Sequence, residues 1–193
     1  MNLSNLLSNE LESHINCVQQ TVAECGAEIS NITERITECF KQGNKILLCG
    51  NGGSAADAQH VAAEFINRFR FDRPALPAIA LTTDSSILTC IGNDSTFENI
   101  FSRQVEALGI KGDILVGIST SGHSANVLKA LGTARAKSLT TIGFTGQKGR
   151  DPMSANCDYC LVIPSSDTAR VQECHEFIWH VICGAVEKQL FSQ

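Results

Sequence analysis

The 193-residue sequence has few aromatic residues and no long apolar run, and both absences exclude classes of function. Aromatic residues make up 6% of the chain, so the sequence offers no platform on which nucleic-acid bases would stack. No stretch approaches the roughly 18 consecutive apolar residues of a membrane-spanning helix. The first residues, MNLSNLLSNELESH, lack the basic start and apolar block of a signal peptide. We therefore expect a cytoplasmic protein with no membrane partner.

An excess of positive charge is also missing. The chain has 15 Lys and Arg residues against 20 Asp and Glu residues, which gives a formal net charge of -5. Since a general nucleic-acid binder needs a basic face, we expect no nucleic-acid partner. At 43% hydrophobic residues the sequence is too apolar for a disordered protein and long enough to bury a core of its own. We expect residues 1–193 to form a single domain.

The nine cysteines do not follow a metal-binding or disulfide pattern. Most lie in apolar stretches, where a reduced thiol behaves as a small hydrophobic group. Cys157 and Cys160 are the only close pair, and no second pair follows at the spacing of a zinc ribbon. The pair leads into the apolar run CLVI, whereas a thioredoxin-like motif would begin a helix. We interpret the cysteines as reduced, structural thiols of a cytosolic protein.

Short apolar runs alternate with helical patterns along the chain. The runs predict strands over residues 45–50, 77–82, 113–119, 139–145 and 159–164. The helical patterns cover residues 2–24, 28–42, 54–70, 84–92, 97–108, 123–137 and 168–190. Strands that are apolar throughout indicate a parallel sheet covered on both faces. The sequence therefore predicts an α/β fold, a three-layer αβα sandwich with a five-stranded parallel sheet and an N-terminal extension of two helices.

Two loops at predicted strand ends have the composition of phosphate-binding loops. GNGGS (50–54) follows the first strand and STSGHS (119–124) follows the third, and each begins a helix. Glycines let backbone N–H groups approach a ligand, and a helix N-terminus carries partial positive charge. Neither loop is a P-loop or a dinucleotide fingerprint, so a phosphate monoester is the favoured ligand. The alternative is a pair of glycine turns with ordinary serine caps.

Polar side chains on two predicted helices could supply chemistry next to these loops. His60 and Glu64 are four residues apart and share a helix face, so they could bind a divalent metal or act as acid and base. The alternative is a hydrogen-bonded surface pair.

The closing helix carries Gln172, Glu173, His175 and His180 in RVQECHEFIWHVIC. Spacing favours Glu173 with His180, while Gln172 and His180 are about 80° apart and could reach one ligand from the rim of a pocket. The alternative is a set of core histidines. Asn93 and Asp94 lie between two helical patterns and are further candidate site residues. The alternative is that they form a turn and a helix cap.

Five segments together resemble the sugar isomerase (SIS) domain family, and most closely its phosphoheptose isomerase branch. They are CGNGGSAADAQHVAAEF, RPALPAIALTTD, GNDSTFENIFSRQVEALG, GDILVGISTSGHSANV and ARVQECHEFIWHVI. The resemblance covers nearly the whole chain and implies the flavodoxin-like SIS fold. It also implies a cytoplasmic homotetramer, with active sites where subunits meet and residues 1–43 used in oligomerisation. At position 123 this chain has histidine where the family commonly has asparagine.

The resemblance implies conversion of sedoheptulose 7-phosphate into D-glycero-D-manno-heptose 7-phosphate for bacterial surface polysaccharide. Glu64 and His180 match the catalytic pair, as base and acid. One zinc ion per site would be bound at His60, Glu64, Gln172 and His180. The matching substrate contacts are Asn51, Gly52, Gly53, Glu64, Asn93, Asp94, Ser119, Thr120, Ser121, Ser124 and Gln172.

Two other functions stay open on the sequence. RFRFDRPALPAIALTTD also resembles relatives that bind a replication-initiator protein, and such a module, or a sugar-phosphate sensor, would use the loops without proton transfer. We expect the binding relatives to lack the catalytic carboxylate, which this chain retains as Glu64. An SIS isomerase for an amino sugar or a pentose phosphate would share the loops but would not require Gln172 and His180.

Overall fold

The computed structural model describes residues 2–191 and contains the predicted parallel sheet. Its strands are β1 Ile46–Gly50, β2 Ala78–Ala80, β3 Ile114–Ile118, β4 Thr140–Gly146 and β5 Tyr159–Ile163. Its helices are α1 Leu3–Lys41, α2 Gly53–Ile66, α3 Ser85–Asp94, α4 Ser102–Leu108, α5 Ala125–Ala136, α6 Arg150–Ser154 and α7 Thr168–Phe191. The order β2-β1-β3-β4-β5, with every neighbouring pair parallel, confirms the α/β fold class.

Side chains alternate along each strand, so each strand contributes to both faces of the sheet. Helices cover both faces, and both are therefore buried. Ile46 and Leu48 of β1 join the hydrophobic cluster under α1, α2 and α7, whereas Leu47 and Cys49 join the cluster under α4, α5 and α6. Strand order reverses between β1 and β3, so the loops that follow these two strands lie side by side at the carboxyl edge of the sheet. Those are the two loops with glycine and serine.

The N-terminal extension is one helix, and the prediction of two helices was wrong. α1 runs for 39 residues and passes through Gly26 without a break. Its buried positions continue at helical spacing on both sides of this glycine, from Cys25 to Ile32 and Ile36, and pack on α7 and β5. A glycine inside a helix costs only about 1 kcal/mol relative to alanine, so packing of the continuous apolar face outweighs it.

Other boundaries differ by a few residues. The predicted helix over 97–108 is a 3₁₀ turn at Phe97–Asn99 followed by α4. A 3₁₀ turn at Gln147–Gly149 and the short helix α6 lie between β4 and β5. All nine cysteines are free thiols, and most are buried. Across residues 2–191, none of the helices combines the length and apolarity needed to cross a bilayer.

Candidate active site

A pair of asparagines joins the two loops at the point where strand order reverses. Asn51 and Asn126 exchange reciprocal side-chain hydrogen bonds, each 2.9 Å long, between the loop after β1 and the first turn of α5. Asn126 is buried, so this exchange holds the loops in fixed register. The N-termini of α2 and α5 consequently open onto a common edge.

The second loop is held by its own hydroxyl groups and by close backbone packing. The hydroxyls of Ser119 and Ser124 are 2.9 Å apart, and the Ser119 hydroxyl accepts a hydrogen bond from the N–H of Gly122. Gly122 has a φ of 69°, and a Cβ there would overlap the backbone of Gly149. Only glycine fits such a position. Ser121 and His123 project from the loop and are exposed.

Three side chains from α2 and α7 form a compact donor cluster. Nε2 of His60 lies 3.1 Å from Nε2 of His180 and 3.1 Å from Oε1 of Glu176. Nε2 of His180 lies 3.4 Å from the same carboxylate oxygen. Two imidazole nitrogens this close repel each other unless a proton or a cation lies between them. The donor set fits a divalent metal ion.

Two further carboxylates surround this cluster. Oε1 of Glu64 is 3.6 Å from Nε2 of His60. One oxygen of Asp57, a turn earlier on α2, is buried with no hydrogen-bond partner. Burial and the negative charge of Glu176 raise the pKa of Asp57 to about 6, while His60 acts in the opposite direction. Three carboxylates around two imidazoles concentrate negative charge, which a bound cation would neutralise.

A buried ion pair fixes the helix that carries His60 and Glu64 against the helix that carries His180. The side chains of Arg73 and Glu187 are each 1% exposed, and Nε of Arg73 donates to Oε1 of Glu187 at 3.1 Å. Arg73 also donates to the backbone carbonyls of Glu64 and Phe65 in the last turn of α2, where helical N–H donors run out. The Phe65 carbonyl accepts a second hydrogen bond from the N–H of Leu76. The end of α2 is thereby tied to α7.

Other predicted residues lie at the first loop and at the end of α3. Gln172 packs over the first loop, where a Cβ at Gly53 would overlap its amide. Asn93 donates to Asp94, which also accepts from the thiol of Cys90. Within residues 2–191 no hydrogen bond joins this pair to either loop or to the histidines. The structure therefore brings together His60, Glu64 and His180, and it places Gln172 against Gly53 of the first loop.

Two polar residues of α7, Glu173 and His175, contact other parts of the protein and do not join the donor cluster. The predicted pairing of Glu173 with His180 is wrong, because Glu173 accepts from Arg170 at 2.7 Å and lies 2.8 Å from Nδ1 of His14. His175 is fully buried against Phe144, and burial lowers its pKa to about 4. His175 is therefore the core histidine that the alternative interpretation of α7 expected, whereas His180 is not.

Sequence reasoning missed Glu176, Asp57 and Asn126. Glu176 precedes His180 by four residues, and Asp57 precedes His60 by three, so helical spacing contained a signal for both. Asn126 gave no comparable signal, because its partner Asn51 is 75 residues away and the two meet only through the sheet topology.

A comparison with known protein families identifies the class of domain that this chain contains. Residues 11–146 match the family model described as the SIS domain. This match spans more than half of the chain, in agreement with the parallel sheet and the two loops at its carboxyl edge.

Two relatives and one solved structure narrow the class. A phosphoheptose isomerase from Trichlorobacter lovleyi is 53% identical over 98% of this chain and 96% of its own length. One from Roseiflexus sp. is 52% identical over 96% of this chain and 93% of its own length. The solved structure of phosphoheptose isomerase GmhA from Neisseria gonorrhoeae superposes with a TM-score of 0.91, at 40% identity, over 97% of this chain and 100% of that one. The chain belongs to the phosphoheptose isomerase family of SIS-domain proteins and is an isomerase.

Proposed function

We propose that this isomerase converts sedoheptulose 7-phosphate into D-glycero-D-manno-heptose 7-phosphate, with Glu64 as base and His180 as acid. The observation that carries the proposal is the approach of Glu64, His60 and His180 from two helices, beside two loops suited to a phosphate. The relatives are phosphoheptose isomerases by name, which supports a phosphorylated heptose as substrate.

The chemistry requires a proton to move between adjacent carbon atoms. In the ketose, Glu64 removes a proton from C1 while His180 donates a proton to the carbonyl oxygen on C2, which gives an enediol. Glu64 then returns its proton to C2, and His180 takes the proton from the hydroxyl on C1, which leaves the aldose. His180 presents Nε2 to the donor cluster, at 3.4 Å from Oε1 of Glu176.

We propose one zinc ion per site. The family resemblance assigns His60, Glu64, Gln172 and His180 as its ligands, and the approach of His60 and His180 beside the carboxylates of Glu64 and Glu176 supports a metal at this place. When bound, zinc supplies Lewis acidity to the substrate oxygens where negative charge develops. A carboxylate that binds zinc is a weaker base, so this ligand set asks Glu64 to perform two opposed roles.

The loops would hold the rest of the substrate. Ser119, Ser121 and Ser124, with the N–H groups at the start of α5, bind the phosphate in this proposal. The assigned contacts to the sugar and the chain are Asn51, Gly52, Gly53, Asn93, Asp94, Thr120 and Gln172. Holding the phosphate positions C1 and C2 over the base, which reduces the entropic cost of reaction.

We further propose a cytoplasmic homotetramer, formed from one SIS domain per chain and assembled through α1, that supplies heptose for surface polysaccharide such as lipopolysaccharide. Two observations support an assembly. The side chains of His60 and His180 are 41% and 42% exposed, so one chain leaves the site open. α1 also exposes a row of leucines, including Leu7 and Leu11.

The deciding experiment follows turnover of sedoheptulose 7-phosphate by NMR, with added zinc and with chelator. We expect the purified protein to form the heptose aldose, chelation to remove activity, and Glu64→Gln to lower kcat by at least about 100-fold without unfolding the protein. Glu106→Gln, an exposed carboxylate of α4 outside the proposed interface, is the matched control and should keep full activity.

Two results would contradict the proposal. Wild-type protein that binds the sugar phosphate without turnover, with binding unchanged in Glu64→Gln, would indicate a sensor or an initiator-binding module. Turnover of an amino-sugar or pentose phosphate but not of the heptose would indicate a different SIS isomerase.

A further inference from the structure

The thiols of Cys157 and Cys160 converge on one backbone position of the sheet. Gly143 of β4 pairs with Cys160 of β5 and has no side chain. A Cβ added at Gly143 would lie 2.9 Å from Sγ of Cys157 and 3.7 Å from Sγ of Cys160. Both sulfur atoms therefore occupy the space that a larger residue at position 143 would fill, which puts them next to each other.

The sulfur of Cys160 is surrounded by groups that stabilise a thiolate. The chief of these is the thiol of Cys157, whose hydrogen bond lowers the pKa of Cys160 to about 7. A hydrogen bond from the Ser154 hydroxyl and the positive charge of Arg150 act in the same direction, whereas burial and the Glu28 carboxylate oppose them. A large fraction of Cys160 is thus thiolate at pH 7, and the thiolate is the nucleophilic form of cysteine.

Cys157 has the opposite character, which suits a second thiol that attacks an oxidised partner. Its pKa is raised, because its proton is held by the Cys160 sulfur and because the side chain is buried. The same thiol can also donate to the Met153 carbonyl, 3.0 Å away. Cys157 is 9% exposed, whereas Cys160 is half-buried and lines a surface cavity of about 310 Å³. A small oxidant from solvent therefore reaches Cys160 first.

Two other thiol sites each lack one of these properties. Sγ of Cys174 lies 3.5 Å from Sγ of Cys17, but Cys174 is fully buried, and burial raises its pKa to about 12. Cys90 is exposed, but a hydrogen bond to the Asp94 carboxylate raises its pKa. Neither a close partner nor exposure alone makes a thiol reactive, and Cys160 combines both with a stabilised thiolate.

We propose that Cys160 and Cys157 form an oxidation site at which hydrogen peroxide produces a reversible disulfide. Oxidisable cysteines in other proteins combine thiolate character, access to solvent and a neighbouring thiol, which are the properties of this pair. In a reducing cytosol such a disulfide is transient, in keeping with the free thiols of the structure. The proposal replaces the interpretation of these two cysteines as purely structural.

The reaction takes two balanced steps. The Cys160 thiolate attacks one peroxide oxygen, so that an S–O bond forms, the O–O bond breaks, and the second oxygen takes up a proton and leaves as water. The sulfur of Cys157 then attacks the sulfur of Cys160, so that the S–S bond forms and the S–O bond breaks. The hydroxyl group leaves as water with the proton of Cys157. The two thiols lose two electrons in total, and the peroxide is reduced to two water molecules.

The thiol pair is separate from the proposed site of isomerisation. Cys157 and Cys160 belong to the hydrophobic cluster under α4, α5 and α6, whereas the donor cluster lies between α2 and α7. Glu28, which lines the cavity, is about 25 Å along α1 from Leu11 of the proposed assembly surface. The inference therefore does not depend on the proposed function.

Peptide mass spectrometry of the full-length protein after treatment with hydrogen peroxide tests the proposal. We expect the wild-type peptide that contains Cys157 and Cys160 to lose about 2 Da, to regain this mass with dithiothreitol, and to react at least about 10-fold faster than Cys90. In Cys157→Ser the oxidised Cys160 has no thiol to resolve it, so it should gain about 32 Da as a sulfinic acid that dithiothreitol does not reduce. In Cys160→Ser, Cys157 should stay unmodified.

Cys90→Ser is the matched control, because it removes an exposed thiol and should leave the disulfide unchanged. Circular dichroism checks that each variant is folded, and the wild-type measurement needs no variant. The proposal is overturned if peroxide oxidises Cys90 in the wild type but leaves Cys157 and Cys160 reduced. It is equally overturned if a disulfide forms between Cys17 and Cys174 instead, or if Cys157 reacts at the wild-type rate in Cys160→Ser.

Discussion

Asp113 and Asp57 carry the same functional group in different surroundings. Asp113 is fully buried, yet it accepts hydrogen bonds from the N–H groups of Lys45 and Ile110 and from the Lys45 ammonium group. Burial alone would raise the pKa of Asp113, but these donors outweigh it and lower the pKa. Asp57 has no such donors, and its pKa is raised. The donors, and not burial alone, decide whether each acid remains charged.

Asp113→Asn tests this at the scale of one residue. A carboxylate with a lowered pKa in the folded state contributes stability above the pKa of the unfolded chain, and this contribution is lost as pH falls through the folded pKa. We expect the free energy of unfolding of the variant at pH 7 to be about 2 kcal/mol lower than that of the wild type. The deficit should shrink steadily as pH falls below 3.8, the ordinary value for Asp. Urea unfolding of both proteins between pH 7 and pH 2.5 measures this difference in stability. A difference that does not change with pH would contradict the role of the charged Asp113 carboxylate.

At the scale of elements, α7 combines two faces with different tasks. Trp179, Cys183 and His175 are buried against the sheet, and Trp179 stacks on Phe144 with ring centroids 4.5 Å apart. Glu176 and His180 on the other face reach toward α2. The packed face fixes the helix, so its polar face presents donors in a constant geometry.

α1 gives the prediction at this scale. Gly26 is exposed within a continuous helix, and a Cβ added there would have no heavy atom within 4 Å. We expect Gly26→Ala to increase the free energy of unfolding by about 1 kcal/mol, because alanine favours the helix and restricts the unfolded chain. Denaturant unfolding at fixed protein concentration measures the change. A loss of stability would indicate that this glycine is needed as a hinge between two helices.

At the scale of the whole molecule, the topology brings together groups that are distant in sequence. The strand reversal puts residues 50–54 beside residues 119–124, and the contact between α2 and α7 puts His60 beside His180, 120 residues later. The site formed in this way remains half-exposed. A sugar phosphate bound there would face solvent unless another subunit covers it, which agrees with the proposed tetramer.

The exposed leucines of α1 test the assembly. Leu7 and Leu11 are 62% and 60% exposed and lie one turn apart. We expect Leu7→Glu combined with Leu11→Glu to convert a tetramer into smaller species, because charge would have to be buried in an apolar interface. Light scattering after size-exclusion chromatography measures the mass. Ile110→Glu, at an equally exposed position outside α1, is the control and should remain tetrameric. An active wild-type monomer would contradict the expectation.

The sequence by itself determined the fold class and the two loops. Apolar runs predict buried strands, and the segments GNGGS and STSGHS that follow two of these runs mark where the strands end, so neighbouring residues alone contain this information. It also indicated His60 with Glu64, because helical spacing puts them on one face. Only the tertiary structure decided that α1 is continuous, since packing against α7 and β5 outweighs the local preference of Gly26. Only the tertiary structure selected Glu176 over Glu173 as the carboxylate beside His180, because that choice depends on which side of α7 meets α2.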